Sequence, residues 1–353
     1  MLRHCVPNNA VGWDLGGAHL KVALLDGGGR VCKAMQLPCP LWQGLQHLDK
    51  AVFEALKEID QPALLHALTM TGELADIFPD RDTGVATLVD AMKANLPPAS
   101  LRVFAGRSGF VSPSQAKQYA GEIASANWFA TADLAAKRVR QALLIDIGST
   151  TTDLVLLHSG AVRARGWNDH QRMAYDELVY TGVVRTPVMA VASRVPFAGE
   201  WQGLMAEQFA TMADVYRLIG NLPEGADQFP AADGRGKTMQ DSARRLARML
   251  GRDFESSPLS SWQRLAGFIA DRQQQRLHEA CSRLFSLALI GDEAPLVGAG
   301  VGRFLVKALA ARYARPYLDF SGLVEASLID GLWIDVCAPA VAVAVLAQSA
   351  ARE

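Results

Sequence analysis

Residues 11–28 read VGWDLGGAHLKVALLDGG, and residues 143–160 read LLIDIGSTTTDLVLLHSG. Aligned without gaps, the two stretches place Asp14 on Asp146, 132 residues later, and also match at glycines and leucines. Each contains an apolar run that leads to the aspartate, a turn with glycine, a second apolar run and another turn. Apolar runs joined by tight glycine turns are typical of β-hairpins. The sequence therefore predicts two β-hairpins of the same design, 132 residues apart.

The turns of both hairpins carry residues suited to phosphate. Glycine lets a ligand approach the backbone closely, and successive N–H groups can cradle a phosphate. A carboxylate cannot bind phosphate directly but can hold a divalent cation, so we predict Asp14 and Asp146 as catalytic residues that orient Mg²⁺. Ordinary hairpins are the alternative for a single copy, and the duplication favours phosphate loops. The predicted phosphate-binding residues are Gly16, Gly17, His19, Lys21, Gly148, Ser149, Thr150 and Thr151.

Length and charge limit the classes of protein to which the chain can belong. With 353 residues, of which 50% are hydrophobic, it has material for about two compact domains. Lys and Arg number 35 against 36 Asp and Glu, so the net charge of -1 gives no general attraction to nucleic acid or anionic membranes. We therefore predict neither partner, and any anion must be bound by local geometry.

The cysteines and apolar segments predict a soluble, cytoplasmic protein. Five cysteines, at positions 5, 32, 39, 281 and 337, form no CxxC pair, which predicts reduced thiols and no structural zinc. The first residues lack an apolar core of signal-peptide length. The longest uncharged apolar run, residues 336–350, is shorter than the ~20 residues that span a bilayer, so it predicts a buried terminal helix.

The segments DLGGAHLKVALLD and DIGSTTTDLVLL resemble the two phosphate loops of the actin-like ATPase superfamily, especially its hydantoinase A/oxoprolinase branch. The run PLVGAGVG, residues 295–302, resembles the adenosine loop of that superfamily, which implies nucleotide binding at Gly298 and Gly300. An ordinary strand-to-helix turn is the alternative for this run. The resemblance implies an α/β fold of two actin-like, ribonuclease H-like domains with a cleft between them. We place domain I at 1–140 and domain II at 141–353, with a mostly helical insertion at about 165–285.

Several further runs resemble a narrower group, the hydantoinase-like proteins of tetrahydromethanopterin-linked and methanofuran-linked one-carbon metabolism. They are TMTGELAD at 69–76, NWFAT at 127–131, DHQR at 169–172, YTGVVRTP at 180–187 and AEQFATMADV at 206–215. This resemblance implies a transferase that joins an aminomethyl-furanmethanol diphosphate to a γ-glutamyl tyramine phenol and releases diphosphate. The implied ligands are Mg²⁺ and a small phosphorylated substrate. A homodimer is compatible with the sequence, which does not itself determine the oligomeric state.

Two alternatives stay open at this point. The first is an ATP-dependent kinase or hydantoinase/oxoprolinase-like enzyme, with ATP as the ligand. The second is a nucleotide-switched binding protein. Lys21 occupies the position that Asp153 occupies in the second hairpin, and Ala18 stands where nucleotide-using relatives often carry Thr or Ser. This departure favours phosphate binding, with positive charge from His19 and Lys21, over ATP turnover.

Three residues follow a strand-like run at 63–70. We predict Glu73 as a catalytic acid–base group and Thr71 and Asp76 as substrate-binding residues, because carboxylates at a strand end can line a cleft. The alternative is a capping box, with Thr71 as the N-cap of a short helix and Glu73 or Asp76 in its first turn.

The run 177–186 places three polar residues around a glycine turn. We predict Tyr180 and Arg185 as catalytic and Thr181 as substrate-binding, since a guanidinium can grip a phosphate or carboxylate with two hydrogen bonds. A surface ion pair between Arg185 and Glu177 is the alternative.

The region after residue 203 is predicted to be helical in two places. On a helix predicted over 204–219, Asp214 is a predicted substrate-binding residue, and a solvated polar face is the alternative. A second helix is predicted over 239–250, where arginines such as Arg245 cover the core surface with their stems or, alternatively, bind an acidic substrate.

Overall fold

The computed structural model describes residues 9–60, 65–327 and 333–352. The strands are β1 (Ala10–Leu15), β2 (His19–Leu25), β3 (Val31–Pro38), β4 (Leu65–Met70), β5 (Leu101–Phe104), β6 (Phe110–Val111), β7 (Gln141–Ile147), β8 (Thr152–His158), β9 (Ala161–Arg163), β10 (Leu178–Val179), β11 (Arg194–Phe197), β12 (Glu200–Gly203), β13 (Leu296–Ala299) and β14 (Tyr317–Asp319). The helices are α1 (Gln46–Ile59), α2 (Arg81–Asn95), α3 (Ala120–Ile123), α4 (Asn127–Ala136), α5 (Asp169–Ala174), α6 (Met212–Leu218), α7 (Met239–Met249), α8 (Leu259–Phe285), α9 (Arg303–Arg312) and α10 (Ala338–Ala350).

Both predicted hairpins are confirmed, and each is extended by a parallel strand. The first sheet has the order β3-β2-β1-β4-β5-β6, in which β1 runs antiparallel to β2 and parallel to β4. The second sheet has the order β10-β8-β7-β13-β14, with β9 paired to β8, and β7 runs parallel to β13. The sequence repeat is therefore a repeat of structure, a hairpin whose first strand also pairs with a later parallel strand.

The two faces of β1 are covered by different elements. Alternate side chains point to opposite faces of a strand, and Val11, Trp13 and Leu15 all belong to one hydrophobic core. On the other face, α10 crosses so closely at Gly12 that a Cβ there would clash with the carbonyl oxygen of Ala340. The buried terminal helix that the sequence predicts is thereby confirmed, since nearly all of α10 is buried.

The chain divides into two compact units. The first contains the described residues of 1–142, 157–163 and 318–353, and the second contains 143–156 and 164–317. The C-terminal segment thus belongs to the first unit, whereas the sequence-based boundary places it in domain II. The physical reason for this placement is that Gly12 has no side chain, so α10 can pack closely against β1. Residues 165–285 contain α5 to α8 but also the two-stranded sheet β11-β12.

Buried thiols and helix lengths bear on the expectations for cysteine chemistry and membranes. Cys32, Cys39, Cys281 and Cys337 are free, while Cys5 lies outside the described residues. Burial raises the pKa of the thiols of Cys39, Cys281 and Cys337 to about 12, so they stay protonated and unreactive.

In the described ranges, no helix combines the length and hydrophobicity that crossing a bilayer demands.

We predict that one buried histidine makes stability depend on pH. Trp13 Nε1 donates to His66 Nδ1 at 3.2 Å, and burial lowers the pKa of His66 from 6.5 to about 4. The unfolded chain therefore takes up this proton first as the pH falls, and stability is lost between pH 6.5 and 4. For a pKa difference of that size, the loss approaches about 3 kcal/mol.

Urea unfolding at pH 7 and pH 4.5 checks this prediction. His66→Asn keeps an acceptor for the indole but cannot be protonated, so its free energy of unfolding should fall less between the two pH values than that of the wild type. His170→Asn, at an exposed position, serves as the control and should keep the wild-type dependence. Equal pH dependence in the wild type and His66→Asn would contradict the assignment.

Candidate phosphate-binding loops

The carboxylate of Asp14 lies near the end of β1 and is held between two side chains. It is only 2% exposed. Asn127, the first residue of α4, donates from Nδ2 to Asp14 Oδ1 at 3.3 Å. Lys21 Nζ, from the paired position on β2, lies 3.9 Å from Asp14 Oδ2. The lysine predicted to bind phosphate thus neutralises the aspartate predicted to orient Mg²⁺.

The turn after β1 is closed by backbone hydrogen bonds and leaves room at one glycine. The N–H of Gly16 donates to the carbonyl of His19 at 2.9 Å. A Cβ added at Gly17 would meet nothing within 4 Å, and the φ of Gly17 is not positive, so neither packing nor backbone conformation requires glycine there. His19 is buried. The open space at Gly17 is where a ligand could approach the backbone, as the sequence predicts.

The segment after β4 is built against this first turn. The N–H of Thr71 donates to the carbonyl of Leu15 at 2.9 Å, which places Thr71 beside the loop. Thr71 precedes a one-turn 3-10 helix, Gly72–Leu74, and within the described chain its side chain makes no capping hydrogen bond. The short helix of that alternative is therefore present, with Thr71 at its N-cap position and Glu73 in its first turn, but the described residues lack the capping hydrogen bond itself. Glu73 is 1% exposed and accepts a hydrogen bond from Ser125 Oγ at 2.7 Å, whereas Asp76 is exposed. The strand itself begins at Leu65, and residues 63 and 64 lie outside the described ranges.

The second loop carries the half-buried carboxylate of Asp146. The N–H of Gly148 donates to the carbonyl of Thr151 at 2.9 Å and closes the turn. Within the described part of the chain, the buried Oγ of Ser149 has no hydrogen-bond partner. A buried hydroxyl without a partner in a phosphate-type turn is suited to receive a ligand oxygen.

The glycine-rich turn at 298–302 is adjacent to the second loop. The strand β13 is in register with β7, so that Ala299 lies opposite Asp146. Gly300 has φ +78°, and a Cβ there would clash with Asp146 Oδ1 and the carbonyl of Ile147. Glycine at 300 is therefore required by both conformation and close approach. At Gly298, a Cβ would instead collide with the ring of Tyr317, so this glycine serves packing.

The segment 180–186 wraps over the second loop. The N–H of Arg185 donates to the carbonyl of Ser149 at 2.8 Å, and Gly182 lies so close to the Ser149–Thr150 peptide that a Cβ would clash. Arg185 and Tyr180 are exposed, with Tyr180 at 55%. This arrangement brings the backbone that carries both predicted catalytic residues next to the loop.

Two residues of the run 177–186, Glu177 and Thr181, lie in the interior and not at the positions that the sequence predicts. Glu177, the surface partner considered for Arg185, is buried and accepts hydrogen bonds from the N–H groups of Arg165 and Gly166 at 2.7 and 2.9 Å. Thr181 is fully buried, and its hydroxyl accepts a hydrogen bond from Gln273 Nε2 at 2.7 Å. Because Thr181 is fully buried, contact between its hydroxyl and a substrate would require the surrounding segment to move.

The aspartate that matches Lys21 in the repeat has a partner of its own. Asp153 Oδ1 accepts from Arg172 Nη1 at 2.7 Å, and Arg172 is buried. The two equivalent hairpin positions therefore carry opposite charges because one pairs with an acidic and the other with a basic neighbour.

The carboxylate of Asp214 is bound by side chains of α7, which is distant in sequence from both loops. The helix predicted over 204–219 begins only at Met212, because Thr211 and Asp214 form a capping box that starts α6 there. The carboxylate of Asp214 accepts from Ser242 Oγ at 2.8 Å and from Arg245 Nε at 2.9 Å. Arg245 is fully buried, so it does not cover the core surface as the sequence suggests.

The donors present in each unit fit a hydrated Mg²⁺ ion rather than a dedicated metal cage. Among the described residues, no group of three or more His, Cys, Asp or Glu is placed to hold a metal. Mg²⁺ commonly keeps several waters and binds through one or two carboxylates together with substrate phosphates. Asp14 and Asp146 supply one carboxylate each, next to turns with free space or an unpartnered hydroxyl.

Sequence reasoning missed two residues of these loops. Asn127, on α4, contacts Asp14. The sequence shows Asn127 only as part of the run NWFAT at 127–131, and no role for it is predicted from that run. Gly182 permits the close approach of the segment 180–186 to the second loop. The signal that could have indicated such an approach is a glycine between two buried residues, Thr181 and Val183.

Comparisons with known proteins show the family and the fold. The family model described as hydantoinase/oxoprolinase matches residues 65–315. A synthase from Methanocaldococcus jannaschii, (4-{4-[2-(γ-L-glutamylamino)ethyl]phenoxymethyl}furan-2-yl)methanamine synthase, is 31% identical over 248 residues, which cover 69% of this chain and 72% of the relative. The synthase of the same name from Methanococcus vannielii is 27% identical over 115 residues, 33% of this chain and 51% of the relative.

Among solved structures, a nucleotide-free acetone carboxylase superposes with a TM-score of 0.57 at 11% identity, over 95% of this chain and 70% of that one. This likeness shows the fold alone, a mixed α/β architecture of the actin-like ATPase type. Because the family model matches well over half of the chain, the protein belongs to the hydantoinase/oxoprolinase family.

Proposed function

We propose that this protein is a transferase that forms an aryl ether in the assembly of a methanofuran-type cofactor. The observation that carries the proposal is the 31% identity over 72% of the M. jannaschii synthase. The product in that synthase's name contains a phenoxymethyl-furan group, which is an aryl ether. The proposed substrates are an aminomethyl-furanmethanol diphosphate and the phenol of a γ-glutamyl tyramine.

The proposed reaction is a substitution at the carbon attached to the furan ring. The bond between this carbon and the diphosphate oxygen breaks, and diphosphate leaves with the electron pair. The phenol oxygen forms the new bond to the same carbon, and the phenol proton passes to a base. The furan ring stabilises positive charge on the carbon, so catalysis depends mainly on stabilising the leaving group.

The residues of both loops suit this task. We propose that the turn at Gly148–Thr151 offers backbone N–H groups to phosphate oxygens, and that Ser149 Oγ donates to them. The turn at Gly16–Gly17 is the proposed phosphate-binding turn of the first unit. Lys21 and Arg185 supply positive charge. Glu73, held by Ser125 at 2.7 Å, is the proposed acceptor of the phenol proton. Mg²⁺ held through the carboxylate of Asp14 or of Asp146 would supply Lewis-acid charge to the phosphate oxygens.

An ATP-dependent enzyme of the hydantoinase/oxoprolinase type is the second candidate. The turn at 298–302 favours it, because the close packing of Gly300 on Asp146 joins the predicted adenosine loop to the second phosphate loop. A homodimer, a cytoplasmic location and the boundary at residues 140/141 stay predictions.

The test is to incubate the purified protein with Mg²⁺, the furanmethyl diphosphate and γ-glutamyl tyramine, and to measure pyrophosphate and the ether by mass spectrometry. We expect pyrophosphate release that requires the phenol, and no release when the phenol is replaced by its O-methyl ether. Release of ADP from ATP under the same conditions would favour the second candidate. Ligand binding without any turnover would indicate a switch protein instead.

A further inference from the structure

Two successive peptide groups of the second loop are held from one side. The carbonyl of Gly148 accepts a hydrogen bond from the N–H of Val183 at 3.1 Å, and the carbonyl of Ser149 accepts one from the N–H of Arg185 at 2.8 Å. In a planar trans peptide, the N–H points away from the C=O. The N–H groups of Ser149 and Thr150 therefore point to the opposite side, and among the described residues no backbone carbonyl accepts from them.

The segment that holds these carbonyls is anchored by a side chain of α8. Gln273 is fully buried, and its Nε2 donates to the carbonyl of Gly182 at 2.9 Å and to the hydroxyl of Thr181 at 2.7 Å. Its Oε1 accepts from the hydroxyl of Tyr216 at 2.5 Å. Because the two ends of the amide have different partners, the amide is fixed in one orientation. Gln273 thus holds the start of the run that contacts the loop.

The pattern of α8 favours an apolar residue at position 273. Ile269 and Leu277 lie one turn before and one turn after it, on the same face, and both are fully buried. The other buried residues of α8, which is described along its whole length, carry neither an amide nor a charge. Burial of an amide is costly unless hydrogen bonds offset the cost. Packing of the helix alone therefore does not explain the glutamine, whereas its bonds to residues 181 and 182 do.

We infer that Gln273 is a positioning residue for the phosphate-binding N–H groups of the second loop. The glutamine fixes Gly182, the run 183–185 fixes the two carbonyls of the loop, and the N–H groups of Ser149 and Thr150 then face a phosphate before it binds. Donors that are already oriented bind an anion more tightly than donors that must first be ordered. This inference rests on the proposed function, since it requires that the second loop binds phosphate.

Two substitutions on α8 separate positioning from stability. Gln273→Met keeps the length of the side chain and removes its hydrogen bonds, whereas Leu277→Ala opens a cavity on the same buried face and leaves the amide in place. The measurements are the melting temperature without ligand and the Kd of inorganic pyrophosphate in the presence of Mg²⁺ by titration calorimetry. Both variants should melt below the wild type. We expect Gln273→Met to bind pyrophosphate about tenfold more weakly and Leu277→Ala to bind it as tightly as the wild type.

A third variant tests the orientation of the amide. Tyr216→Phe removes the hydroxyl that bonds Gln273 Oε1 and leaves the run 181–185 unchanged. We expect binding to weaken by about threefold, and to weaken no further when Tyr216→Phe is added to Gln273→Met, because the two side chains act through one network. If Gln273→Met does not fold, wild-type affinity in Tyr216→Phe overturns the inference.

The outcomes distinguish this inference from the proposed function. Equal affinity in Gln273→Met and the wild type overturns the inference and leaves the proposed function intact. If Gln273→Met and Leu277→Ala both lose affinity in proportion to their melting temperatures, the glutamine serves stability alone and the inference fails. Ser149→Ala identifies the site that is measured. Unchanged affinity in that variant, or a wild type that does not bind pyrophosphate, would overturn the proposed role of the second loop together with this inference.

Discussion

Arg245→Met is expected to lower the free energy of unfolding by about 3–5 kcal/mol, because it removes one side of a buried ion-pair network. Arg245 is fully buried, and its guanidinium bonds Asp214 at 2.7 Å, Asp233 at 3.1 Å and the carbonyl of Gly236 at 3.0 Å. Without the arginine, Asp233 loses its nearer cation, since Arg248 lies 4.0 Å away. Asp214 loses its closest cation and keeps Ser242, the N–H of Thr211 and Arg217 at 3.3 Å. Urea unfolding followed by circular dichroism measures the loss.

The neighbouring arginine provides a matched control. Arg244 lies on the same helix, pairs with Asp241 at 3.1 Å and is about one-third exposed, at 34%. Its replacement by methionine removes the same charge but from a solvated pair, so the expected loss is below about 1 kcal/mol. Similar losses in Arg244→Met and Arg245→Met would show that burial of the ion-pair network does not determine how much it contributes to the free energy of unfolding. The change at Arg245 should also loosen the loop that contains Asp233, which increased proteolysis there would reveal.

The second large effect is expected at the first loop. Asp14→Asn should reduce turnover by about 10²–10³-fold, because it removes the charge that orients the cation on the departing diphosphate. Asparagine is nearly isosteric and can still accept the hydrogen bond from Asn127, so the melting temperature should change little. The measurement is steady-state release of pyrophosphate, together with a melting curve for each variant.

Asp26→Asn is the control for this experiment. Asp26 lies at the far end of the same hairpin, where its carboxylate accepts from the N–H of Gly28 at 2.9 Å and pairs with Arg30. Its substitution removes an equal charge from the same hairpin, so turnover should stay at the wild-type level. Comparable turnover in Asp14→Asn and Asp26→Asn would reject a catalytic role for Asp14.

Local patterns predicted the hairpins and the terminal helix well, because each depends on neighbouring residues. The turns at Gly16 and Gly148 are closed by bonds within four residues, and the apolar strands on either side need only each other to pair. The same holds for α10, whose run of alanine and valine is buried on nearly every side. In these cases, short-range propensity and burial favour the same structure.

The wrong predictions concern elements whose partners are distant in sequence. The helix predicted over 204–219 fits the apolar periodicity, but capping at Thr211 shortens it to α6. The alternative that pairs Arg185 with Glu177 at the surface is also wrong, because the backbone N–H groups of Arg165 and Gly166 bind the Glu177 carboxylate in the interior. A local pattern does not contain such partners, so it could not indicate the burial of this carboxylate.

The repeated Asp-x-Gly turns, the two hairpins and the family resemblance can all be read from the printed residues, because each is a pattern of adjacent positions. The surroundings of Asp14 cannot, since Lys21 and Asn127 reach it from two other elements. Strand register and the packing of α4 on the sheet bring them together, and both arise from the balance of many long-range contacts. The residue types suited to phosphate chemistry were therefore visible in the chain, while the neighbours that tune the charge of each carboxylate depend on how the sheets assemble.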